Sequence, residues 1–145
     1  MVFQVKPFGT QDKWANIIQG TDAGSQGHHG ERTPYIALVE KTTQLRVCAS
    51  FNGDPNFCYD HDKPLDISKF STITVEQRQL LDPKSDQYLM YFLKIRIHGD
   101  EIFSQVNNDP RIFYNVKYYA SCPWKEVAKA YIQHFRVLTF KHMDS

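Results

Sequence analysis

An all-β fold, with two antiparallel sheets packed face to face or closed into a barrel, is the class this sequence predicts, and three observations predict it. Apolar and polar residues alternate with period two in segment after segment. About nine or ten such segments are separated by clusters of Gly, Asn, Asp and Pro. The chain is 41% hydrophobic and only 23% charged, which excludes global disorder. With 145 residues it matches one domain at roughly 150 residues per domain. No internal repeat, linker or low-complexity tract divides it, so residues 1–145 are read as a single domain.

The elements follow in order. Trp14–Ile18 is the first strand, and the polar loop Thr21–Arg32 leads to a second over Tyr35–Val39. Gln44–Ser50 and Asn56–Tyr59 form a hairpin around Asn52-Gly53-Asp54. Ile73, Val75 and Gln77 alternate with Thr72, Thr74 and Glu76. Tyr91, Leu93, Ile95 and Ile97 point one way while Lys94, Arg96 and His98 point the other, the clearest two-faced strand in the chain. His98-Gly99-Asp100 turns into Glu101–Val106, the aromatic-rich Phe113–Ala120 follows, and Arg136–Phe140 closes the series. One segment breaks the pattern. Trp124, Val127, Ala128, Tyr131, Ile132 and Phe135 recur at steps of three and four, with Pro123 where a helix would start. This spacing predicts a short helix near residues 124–130 before the chain returns to strand.

A hairpin centred on Gly53 sets Cys48 opposite Cys58, Val47 opposite Tyr59 and Ala49 opposite Phe57. Directly opposed Cβ atoms lie ~4.5–5.5 Å apart, against the ~3.8 Å that a disulfide prefers. The pair is thus compatible with a bridge or with two thiols on a half-buried face. Cys122 is left over, either free or intermolecular. A bridge implies an oxidising compartment. The opening residues, Met1 to Gly9, lack the basic start and apolar stretch of a signal peptide. The expectation is then an intracellular protein, or a mature or excised segment of an extracellular or cell-surface one.

Lys plus Arg number 17 and Asp plus Glu 16, a net charge of +1. That balance supplies no reason to expect nucleic acid or an anionic membrane surface as partner. Residues 1–87 carry 9 basic and 11 acidic groups and residues 88–145 carry 8 and 5, a slope rather than a tail. The longest apolar-aromatic run, Tyr88 to Leu93, is far short of the ~20 residues of a spanning helix, so no membrane insertion is expected.

Four stretches carry a resemblance. They are Gly30-Glu31-Arg32-Thr33-Pro34-Tyr35-Ile36-Ala37-Leu38; Leu45-Arg46-Val47-Cys48-Ala49-Ser50-Phe51-Asn52-Gly53; Tyr91 through Ile102; and Asn107-Asn108-Asp109-Pro110-Arg111 continuing from Phe113 to Trp124. Their order resembles the concanavalin A-like, laminin G-like jelly roll, over roughly residues 14–140, and is similar to modules of secreted or cell-surface invertebrate proteins. The resemblance implies two antiparallel sheets with a closing strand beside the first. It is weak for function, because that fold hosts lectins, adhesion modules and polysaccharide-cleaving enzymes. The chain departs from the pattern where Glu126–Ala130 replaces a short turn.

Hydrolysis of glycosidic bonds needs two carboxylates flanking one bond, and no Glu-x-Asp-x-Glu strand is present. Nor is there a nucleophile elbow, a Walker loop or a His-Glu-x-x-His. The reading is non-enzymatic. Asp54, Asn56, Asp60 and Asp62 around the hairpin form an oxygen-rich candidate site for calcium, with a solvated acidic turn as the alternative. His28-His29, near Asp22 and Glu31, could hold zinc or copper or simply be exposed.

Sugar recognition asks for an aromatic face against the apolar side of a ring, with planar polar groups for its hydroxyls. Asn107, Asn108, Asp109 and Arg111 offer amide, carboxylate and guanidinium within five residues, and Tyr118, Tyr119 and Trp124 offer the rings. Pro110 after Asp109 equally fits an Asx-type turn. Because Tyr118 and Tyr119 are adjacent, one of them must face away from the core. The function expected is a lectin-like module binding glycan or glycoprotein. A protein–protein adhesion or oligomerisation domain, which includes a homo-oligomer, is the first alternative, and a polysaccharide-cleaving enzyme the second. With 14% aromatic residues, some Tyr and Phe must face a partner.

Overall fold

The computed structural model describes residues 1–81, 84 and 89–138. Eleven strands and no helix make up the regular structure among them: β1 (Val2–Pro7), β2 (Ala15–Thr21), β3 (Tyr35–Leu38), β4 (Gln44–Phe51), β5 (Asp54–Pro64), β6 (Ser71–Leu81), β7 (Leu89–Ile97), β8 (Asp100–Asn107), β9 (Lys117–Ala120), β10 (Glu126–Val127) and β11 (Ala130–Arg136). One sheet runs β11-β1-β6-β7-β8. The other runs β10-β2-β3-β4-β5, with β9 also pairing β2. All pairings are antiparallel except β10 on β2. Beta-sandwich architecture is what these two sheets make.

Alternation decides which side chains enter the core. In β1, Phe3, Val5 and Pro7 are buried and Val2, Gln4 and Lys6 are not. The core joins Phe3, Val5, Ile73, Leu93 and Ile95 of the first sheet to Ile18, Ile36, Leu45 and Val47 of the second. Each such side chain contributes roughly 1.5–3 kcal/mol when fully buried. The hairpin register matches the symmetry about Gly53: Val47 pairs Tyr59, Cys48 pairs Cys58 and Ala49 pairs Phe57. Cys48 and Cys58 are disulfide-bonded, their Cα atoms 4.1 Å apart. Cys122 is free and buried.

The edges stack pairwise. β8 lies over β5, where the Tyr59 hydroxyl donates to the Ile102 carbonyl at 3.1 Å and the Tyr59 and Phe103 rings are 5.0 Å apart. β11 lies over β9, where the Tyr118 and Phe135 rings are 6.0 Å apart. Asn16, fully buried, anchors this second edge. Its Nδ2 donates to the carbonyls of Ile18 and Ile36 at 3.2 and 3.0 Å, and its Oδ1 accepts from the Cys122 amide at 2.6 Å. Its backbone carbonyl takes the Ala128 amide at 2.9 Å.

Several expectations are corrected. Residues 124–130 are not helical: a turn at 123–125 is followed by β10 and β11. The helical spacing has a different cause. Ala128 is buried, and Ala130 and Ile132 follow it inward at steps of two. The β1–β11 register then slips between Gln4↔Gln133 and Val2↔Arg136, at His134, whose φ is +54°. This β-bulge inserts one residue and turns Phe135 toward Tyr118, producing a step of three that reads like a helix turn. The closing strand is β11 rather than Arg136–Phe140, whose last two residues lie outside the described ones. Tyr88, at the head of the apolar run, also lies outside them. The strand expected over Phe113–Ala120 is only β9, four residues long. β1, absent from the expected series, pairs both β6 and β11.

Candidate functional site

The residues expected to recognise a ligand fall into two groups, and the sheet order separates them. Asn107 ends β8 with 2% of its surface exposed. Its Oδ1 accepts the backbone amides of Asn52 and Asp109, both at 3.0 Å, and the Asn52 Oδ1 accepts the Asn108 amide at 2.6 Å. Asp109 Oδ2 holds the Arg111 guanidinium at 3.0 and 3.2 Å. The Asn107 side chain is thus engaged in closing one end of the sandwich, Asp109 and Arg111 hold each other, and the Asn108 side chain is exposed. The Asn107 Nδ2 is buried without a hydrogen-bond partner among the described residues.

Tyr118, Tyr119 and Trp124 sit elsewhere. β9 pairs β2, four strand spacings from β5, which at ~4.8 Å per spacing is roughly 19 Å from the hairpin turn that Asn107 binds. Adjacent tyrosines diverge as alternation requires. Tyr118 pairs Gly20 on the inner side and meets Phe135, and burial pushes its hydroxyl pKa up. Tyr119 pairs Gln19 and meets Trp124 edge-on, centroids 5.6 Å apart. Gly20 makes this possible, since a Cβ there would collide with the Thr33 carbonyl and the Tyr118 ring.

Phe135 and Val127 complete this edge and were not among the expected site residues; Tyr131 packs instead on Phe8, ring centroids 4.9 Å apart. Trp124 is 47% exposed, Val127 60%, Phe135 41% and Tyr118 39%. A slot of about 140 Å³ opens beside Val127, lined also by Asn16, Ile17, Ala120, Ser121 and Ile132 among others, and the Tyr118, Trp124 and Phe135 rings do not line it. Among the described residues, β9 and β10 pair only β2, and β11 pairs only β1. Both sheets therefore end at this side with unpaired strands.

The oxygen-rich hairpin residues do not converge. Asp54, Asn56, Asp60 and Asp62 share one face of β5 but spread along it, roughly 26 Å from first to last at ~3.3 Å per residue. Asp54 Oδ1 accepts the Asn56 amide at 2.8 Å, and Asp60 takes the Arg46 guanidinium bidentately at 2.6 and 2.8 Å. The same guanidinium lies 3.5 Å from the Trp14 ring. Among the described residues no three His, Cys, Asp or Glu side chains gather as metal ligands.

The His28-His29 loop is ordered by Glu31 instead. Its Oε2 accepts the Gln26 amide at 2.7 Å and the His28 amide at 3.0 Å, while the His28 ring lies 3.5 Å from Oε1. Desolvation opposes its charge, but backbone hydrogen bonds from His28, Gln26 and Gly27 and the nearby imidazole outweigh it and hold the pKa below the usual carboxylate value. His29 Nδ1 meets Ser50 Oγ at 3.3 Å.

No protein-family model, no curated protein and no solved structure matches this chain.

Proposed function

We propose that the chain is a non-catalytic recognition module of the adhesion or assembly type, and that it binds protein through the edge formed by β9, the 121–127 turn and β11. The observation that carries this reading is the exposure of Tyr118, Trp124, Val127 and Phe135 together where both sheets end. Exposed aromatic side chains are enriched at the centres of protein interfaces. The Cys48–Cys58 disulfide supports an extracellular or cell-surface setting.

Lectin-like binding is the weaker reading. It requires ring and polar groups on one groove, whereas Asn107, Asn108, Asp109 and Arg111 lie across the sheet from Tyr118, Tyr119 and Trp124. Parallel screens on protein and glycan arrays, with calcium and with chelator, test the choice. Protein targets lost in Trp124→Ala and Phe135→Ser but kept in Asn108→Ala support the proposal. Selective glycan binding lost in Asn108→Ala or Arg111→Ala overturns it. Loss on chelation would return the β5 aspartates to consideration as a calcium site.

A further inference from the structure

The aromatic edge is strongly charged for so neutral a chain. Residues 117–136 hold Lys117, Lys125, Lys129 and Arg136 against Glu126 alone, a net +3 where the whole chain totals +1. None of these four cations forms an ion pair with a described residue. The other end of the same sheet has the opposite sign. Over Asp54–Pro64, β5 carries three aspartates and one lysine, Lys63, a net −2. Of the three only Asp60 is held by a basic side chain of the usual kind, Arg46; the Asp62 side chain is 86% exposed, 3.7 Å from the His61 ring. Behind these aspartates, Phe57, Tyr59 and Phe103 are stacked and only partly buried, with Phe57 and Phe103 centroids 5.7 Å apart.

We infer that copies of this chain associate head to tail, the cationic aromatic edge of one docking on the aspartate edge of the next. The inference rests on the recognition reading above and names its partner. Charged side chains on edge strands ordinarily keep copies apart, but they do so between unlike edges only when both edges have one sign. Here the two edges are of opposite sign and attract. A two-fold contact of the cationic edge with itself would set +3 against +3, so a symmetric dimer through it is disfavoured. The cationic edge presents exposed apolar side chains within its charged rim, and the charges of the two edges are complementary. Pro55 and Pro64 in β5 supply no amide donors, so the contact is made by side chains and not by a continuous ladder. Because the two edges lie at opposite ends of one sheet, the contact is heterologous and repeats from copy to copy, forming a ring where the rotation closes and an open array where it does not.

Sedimentation velocity on the full chain over a concentration series tests this. The weight-average sedimentation coefficient is expected to rise with concentration at low salt and to fall back to the monomer value as salt is added. The double variants Lys117→Glu/Lys125→Glu and Asp54→Lys/Asp62→Lys alter exposed side chains only, and far-UV circular dichroism checks that each is folded. Each alone is expected to associate roughly tenfold or more weakly, and an equimolar mixture of the two to recover association. Wild type that stays monomeric at every concentration, or a mixture no better than either variant, overturns the inference. If such a monomer still binds array proteins through Trp124, only the head-to-tail partner falls; if that binding is absent too, the recognition reading falls with it.

Discussion

Asn52 and Asn107 exchange hydrogen bonds across one end of the sandwich: the Asn107 side-chain oxygen accepts the Asn52 amide, and the Asn52 side-chain oxygen accepts the amide next to Asn107. One residue belongs to the β4–β5 turn and the other ends β8, so the exchange ties the two sheets together. Asn107→Ala leaves the Asn52 and Asp109 amides without this acceptor. A loss of roughly 1–3 kcal/mol is expected in urea denaturation, with array binding unchanged. A large loss of binding without loss of stability would instead place Asn107 in a recognition surface.

Glu31→Gln tests the carboxylate that organises the 22–34 loop. The folded-state pKa is depressed, so its contribution is present above the unfolded carboxylate pKa and is lost as pH falls through the folded value. The variant is expected to melt below wild type at neutral pH, with the gap closing as the pH is lowered below the carboxylate range. A gap independent of pH refutes the electrostatic account.

Cysteine accessibility follows from burial and pairing. In native protein no thiol should react readily with alkylating agent, because Cys122 is 3% exposed and the other two are bonded. In denaturant one should react, and after reduction three; intact mass counts them. Replacing Cys48 and Cys58 by Ala is expected to cost about 2–3 kcal/mol, the range for a short closed loop.

Gly20→Ala should be among the most damaging small substitutions. The new methyl meets the Thr33 carbonyl, a backbone atom, and the Tyr118 ring. Overpacking of this kind costs roughly 1–3 kcal/mol, and here it also displaces β9. The variant is expected to lose both thermal stability and array binding.

How much of this was legible from residues alone depends on how far a local rule reaches. The β4–β5 register was, because a turn at Gly53 and period-two alternation fix which residues face each other. β1 obeys the same alternation, but it is only six residues long and its partners β6 and β11 lie far along the chain. β11 was illegible for a physical reason: the bulge at His134 is set by pairing with β1, more than a hundred residues away, and converts strand spacing into apparent helix spacing. The aromatic rings Tyr118 and Trp124 could be named, but Phe135 could not join them until that bulge was seen. The separation of Asn107–Arg111 from those rings is a property of sheet order, which no local pattern encodes.

Pairing of the earliest strand with the latest also bears on how the molecule forms. β1 sits between β6 and β11, so its two ladders link Val2 to Thr74 and to Arg136. The β1–β6 ladder waits for Thr74 and the β1–β11 ladder for Arg136, and both carry a loop-closure cost. Until then β1 is an apolar strand with both sides open, and Phe3 lacks its cross-strand partner Ile73. A strand open on both sides is prone to pair with other chains, so slower, cooler expression is expected to raise the yield of folded protein.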